Sequence, residues 1–92
     1  MIANRKQTRK ELFEELLLQN PQALVADGLD DAYVGYTVGT AGVRAAYDID
    51  ECIKIFCKEH GLSVSEAEEH IDFNVIYAYV GEDTPVFIRF TN

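Results

Sequence analysis

The chain has 92 residues, 48% of them apolar, with five tyrosines, five phenylalanines and only two prolines; it is too short for a second domain and too apolar for a disordered segment. Sixteen acidic residues against eight basic ones give a net charge of −8, and four of the basic residues (Arg5, Lys6, Arg9 and Lys10) precede every acidic one, so residues 11–92 carry −12. The longest apolar run, residues 75–80, is six residues, far short of the roughly 18–20 that a membrane span needs.

Residues 1–8 read as a flexible basic arm with no apolar stretch beside it, which argues against a secretory signal and for a reducing, cytoplasmic setting in which the cysteines are thiols. Thr8 with Glu11 is a capping-box pair directly before Leu12, Phe13, Leu16 and Leu17 at helical spacing, which predicts a helix over residues 9–19. Asn20-Pro21 ends it, because a residue preceding proline is driven out of the α region. Residues 22–26 suit one more helical turn before Asp27-Gly28. β-formers at residues 33–38 and 43–47 flank Gly39-Thr40-Ala41-Gly42, which predicts an antiparallel hairpin with a four-residue turn. Asp48 with Glu51, or Asp50 as a competing cap, opens a second helix burying Cys52, Ile53, Phe56 and Cys57, and His60-Gly61 closes it. A third helix starts at Ser63/Glu66 or Ser65/Glu68, with an apolar line of Val64, Ala67 and Ile71 amid Glu66, Glu68, Glu69 and Asp72. Residues 75–80 have strand propensity but no decisive period, residues 81–85 are a turn, and residues 86–90 form a last strand. The expectation is a single α+β domain: an N-terminal helix, a β-hairpin, two helices, and a C-terminal strand joining the antiparallel sheet.

The segments DGLDDAYVGY, AAYDIDECIKI, GLSVSEAEEHIDFNV and YAYVGEDTPVFI resemble a family of small uncharacterised phage and bacterial proteins. The resemblance covers residues 27–88 and omits the first helix. Its most specific part combines Phe73-Asn74-Val75 with Tyr79-Val80-Gly81-Glu82 and Thr84-Pro85, and it departs at Tyr77, where the family pattern has a small residue. It implies an accessory role directed at a host and brings no activity, cofactor or catalytic residue.

The chemistry-bearing residues support few specific sites. Cys52, Cys57, His60 and His70 could ligate a metal, but Cys52 and Cys57 point about 140° apart on one helix and no paired C-x₂-C knuckle is present. The same geometry opposes an intrahelical disulfide. No nucleophile motif surrounds either thiol, and Gly35, Gly39 and Gly42 form no phosphate cradle. Asp27, Asp30 and Asp31 read as turn formers more than as cation ligands, and Asn74 as a backbone cap. No catalytic, cofactor or metal residue is assigned, and four basic residues ahead of a body of −12 argue against direct nucleic-acid contact.

The leading expectation is a small acidic binding module: an inhibitor or adaptor docking on a basic surface of a host protein, by mimicry of nucleic-acid charge. Its candidate contact residues are Asp30, Asp31, Tyr33, Tyr36, Glu66, Glu69, Tyr77, Tyr79, Glu82 and Asp83. One alternative is an enzyme sited around the Cys52/Cys57 helix and the helix carrying Glu66 to Asp72. Another is a homodimer formed through the wide apolar face of Leu12, Phe13, Leu16, Leu17 and Leu18.

Overall fold

In the computed structural model, residues 8–72 and 81–91 are described. The predictions made for residues 1–7 and 73–80, including Asn74, Tyr77, Tyr79 and the strand over residues 75–80, lie outside them. The chain is an α+β fold of three helices, α1 (Arg9–Gln19), α2 (Ile49–His60) and α3 (Val64–Ile71), with three strands, β1 (Tyr33–Tyr36), β2 (Ala45–Asp48) and β3 (Val86–Ile88).

The helix boundaries follow local chemistry. Thr8 and Glu11 form a reciprocal capping box at α1, and Asn20 ends the helix with extended backbone. At α2 Asp48, not Asp50, is the cap, its carboxylate accepting from the amides of Asp50 and Glu51. Gly61 takes the left-handed conformation (φ +65°) that terminates α2, where a side chain would strain the backbone. Ser63 and Glu66 close the second capping box, so α3 begins at Val64 and leaves that valine exposed, whereas Ala67 and Ile71 are buried. Residues 22–26 form no helical turn: they run irregularly, held by Leu24 N donating to Asp83 O at 3.2 Å and Ala26 N donating to the Tyr47 hydroxyl at 2.9 Å.

The hairpin forms, but its connection is longer than four residues. Thr37 N donates to Arg44 O at 2.8 Å beyond the end of β1, and a short 3₁₀ turn, Gly39–Ala41, lies between the strands. The register contains a β-bulge: Tyr33 lies opposite Tyr47, while Gly35, not Val34, lies opposite Ala46, and Tyr36 opposite Ala45. Residues three apart on a regular strand face opposite sides, so this extra residue is what turns both Tyr33 and Tyr36 towards the core. Gly35 supplies the positive φ (+148°) that the bulge requires. β3 joins the pair on the other side of β2 and runs parallel to it, with Ala46 opposite Val86 and Asp48 opposite Ile88, so the sheet is mixed. Parallel pairing needs a long crossover, which the excursion through α2 and α3 provides.

The core lies between this sheet and the helices. Leu12 and Leu16 enter from α1, Cys52 and Ile53 from α2, Ala67 and Ile71 from α3, and Tyr47, Leu16, Ile71 and Cys52 are its largest fully buried side chains. The strand register aligns three rings across the sheet, Tyr33, Tyr47 and Phe87, and α1 adds Phe13 at one end. Phe13 stacks on Tyr33 with centroids 3.9 Å apart, Tyr33 meets Tyr47 edge-on at 5.6 Å, and Tyr47 stacks on Phe87 at 5.7 Å. Such contacts add about 0.5–1.5 kcal/mol each beyond area burial.

Candidate functional site

Eight of the ten residues expected to contact a partner are described, and they are distributed over several parts of the fold; Tyr77 and Tyr79 lie outside the described residues. Tyr33 is 2% exposed and belongs to the core: its hydroxyl donates to Leu12 O at 3.1 Å, and burial, followed by the neighbouring Tyr47, pushes its pKa up to about 12. It therefore offers no partner-facing surface, because the bulge turns it inward. Tyr36 is half-buried, its hydroxyl donating to Glu15 Oε2 at 3.2 Å. Asp30 and Asp31 are exposed on a 3₁₀ turn, and the Asp31 carbonyl accepts from Arg9 Nη2 at 2.9 Å. Arg9, read as part of a cationic lead-in, is thus bonded into the fold.

Glu66 and Glu69 are exposed on α3 together with Glu68 and Asp72. Glu66 is committed to the helix start, where hydrogen bonding from Ser63 holds its carboxyl below the usual range. Glu68, Glu69 and Asp72 form no salt bridge with any described residue; the described ion pairs are Lys54 with Glu51 and Arg89 with Asp50. Beside this helix lies a cleft of about 240 Å³ with an apolar floor of Ile49, Ile53, Ile71 and Phe87 and a charged rim of Glu68, Asp72 and Arg89. Arg89 Nη2 is 3.4 Å from Asp50, so the acidic groups dominate the rim.

Glu82 and Asp83 line a second, polar cleft of about 290 Å³ with Asn20, Thr40, Gly42, Val43 and Arg44. Asn20 knits it together, its Nδ2 donating to Val43 O at 2.9 Å and Asp83 Oδ1 at 2.8 Å. No sequence motif marks Asn20, Thr40 or Arg44 as site residues: the first two read only as a helix stop and a turn position. One signal was present: Arg44 is the single basic residue between Lys10 and Lys54, in an otherwise acidic stretch.

The cysteine helix has the features of packing. Cys52 is fully buried and its thiol is pushed up to about 12, first by burial and then by the charge of Asp48, which disfavours the nucleophilic thiolate. Both cysteines are free. His60 and His70 are occupied on Phe56, at ring-centroid distances of 5.4 and 4.9 Å. Among the described residues no three His, Cys, Asp or Glu side chains converge as a metal site, and no helix is long and apolar enough to cross a membrane. Compared with known protein families, curated proteins and solved structures, the chain has no match.

Proposed function

We propose that the chain is a small acidic protein-binding module that docks on a basic surface of another protein, in the manner of a phage-type inhibitor or adaptor that mimics nucleic-acid charge. The observation that carries this reading is the pairing of the unbridged carboxylates of Glu68 and Asp72 with the apolar cleft they border. A lysine or arginine side chain has the matching form, an apolar stem ending in a cation. Glu69 on the same helix and the net charge of −8 extend the attraction beyond contact range. The resemblance of residues 27–88 to small phage proteins favours a host target.

The test uses the full chain as bait in extracts of its native host, with salt as the variable and charge-reversed baits as controls. Capture of a basic protein should weaken steeply between about 50 and 300 mM salt, where screening of exposed charges grows. It should be lost with Glu68→Lys/Asp72→Lys and kept with Glu14→Lys/Glu59→Lys, two exposed carboxylates away from the α3 cleft. Capture that ignores salt, or that survives the α3 reversal, overturns the proposal.

The enzymatic alternative has less support, since the Cys52 thiol is buried and both histidine rings pack on Phe56. Alanine at Cys52, Cys57, His60 and His70 together, in a folded protein, would leave the phenotype intact under the binding reading and abolish it under the enzymatic one. Self-association through α1 is favoured by one feature, the 83% and 46% exposure of Leu18 and Leu17. The solution mass of Leu17→Glu/Leu18→Glu against the parent decides it.

A further inference from the structure

Among the described residues Arg44 is a cation without a partner. Its side chain has no hydrogen bond or ion pair among the described residues, and its Nε is buried. The buried Nε is out of reach of an occupant, so what Arg44 offers the cleft it lines is the outer edge of its planar guanidinium, whose two terminal nitrogens match a two-oxygen acceptor. The backbone that carries it is fixed. Thr37 Oγ1 accepts from Arg44 N at 2.9 Å and donates to Gly42 O at 2.6 Å, Thr37 N donates to Arg44 O at 2.8 Å, and Asn20 holds Val43 O. Arg44 therefore sits on a braced loop at the wall of the polar cleft rather than on a free surface.

The chemistry of the remaining walls narrows the occupant. Glu82 and Asp83 place two negative charges in the same cleft against one positive, in a chain of net charge −8, so a bare anion meets repulsion. Asn20 engages Asp83 Oδ1 and orients that carboxylate, while Glu82 is exposed. An occupant that supplies an oxyanion to Arg44 and a cation to the acids satisfies both. We propose that this cleft binds a small zwitterion, a free α-amino acid, with its carboxylate on the Arg44 guanidinium and its ammonium at Asp83 and Glu82. The two charged groups of an α-amino acid share one carbon, and a volume of about 290 Å³ accommodates them with a small side chain. The site is independent of docking through α3.

The experiment is an amide-resolved NMR titration of the full chain with L-alanine, acetate, ethylammonium and inorganic phosphate. L-Alanine should give saturable shifts at Asn20, Thr40, Gly42, Arg44 and Asp83, with each single-charge probe at least about tenfold weaker, since each leaves a charged wall unpaired. Arg44→Gln should abolish the response. Glu82→Gln, at an exposed carboxylate, should weaken it severalfold with the rest of the spectrum unchanged, and it decides the matter if Arg44→Gln does not fold. Absence of saturation by L-alanine, binding of acetate, ethylammonium or phosphate as tight as that of L-alanine, or an unaltered affinity in Glu82→Gln overturns the proposal.

Discussion

Replacing Tyr47 by phenylalanine isolates one hydrogen bond in the centre of the fold. The ring is fully buried and keeps its edge contact with Tyr33 and its stack on Phe87, so packing is conserved. What disappears is the hydroxyl that accepts from Ala26 N at 2.9 Å, one of the few ties on the irregular chain between α1 and β1. Leaving a buried donor unmet costs about 1–3 kcal/mol, and Ala26 is only half-buried, which allows water partial access and puts the expected loss at about 1–2 kcal/mol. For a domain of this size that corresponds to a fall in Tm of about 4–16 °C. The Ala26 amide should exchange about 5–30 times faster with deuterium. Tyr33→Phe is the comparison: its hydroxyl donates to the carbonyl of Leu12, a helical residue, so the loss should stay near about 0.5–1 kcal/mol. Calorimetry and amide exchange on the two variants suffice. A Tyr47→Phe protein with unchanged Tm and unaltered Ala26 exchange, or one no weaker than Tyr33→Phe, would refute the anchoring role.

Alkaline pH should destabilise the fold in two stages. The folded pKa values of Cys52 and Tyr33 are raised from 9.0 and 10.0 to about 12, so above those unfolded values the unfolded chain releases protons that the native state keeps. The stabilisation is complete below about pH 9 and is lost as pH rises towards 12, at up to about 1.4 kcal/mol per pH unit for each group. Urea titrations at stepped pH should show this slope, and Cys52→Ala should remove the part beginning near pH 9. Ser63→Ala breaks the α3 capping box and should cost about 1 kcal/mol, read as a lower urea midpoint with unchanged m-value. Gly35→Ala meets no atom within 4 Å yet must adopt φ +148°, so a loss of about 1–2 kcal/mol is expected, and an unaffected Tm would show that the bulge does not need glycine.

The sequence by itself determined the features whose causes are local. Capping boxes at Thr8/Glu11 and Ser63/Glu66, the Asn20-Pro21 stop and the left-handed Gly61 each depend on groups within four residues, and the helices begin and end where those groups dictate. The mixed α+β order was legible for the same reason. Tertiary structure decided what depends on register and on the return of the chain. The bulge at Val34-Gly35 reverses strand parity and sends Tyr33 inward, which no period-two reading of residues 33–38 reveals. The crossover through two helices makes β3 parallel to β2. The return of the chain to β3 sets both candidate sites. It brings Phe87 and Arg89 beside Glu68 and Asp72, and it carries residues 82 and 83 to the hairpin end across Asn20, joining side chains up to 63 positions apart. Spacing along the chain carries no information about such a meeting, because the contact is made only once the sheet has closed.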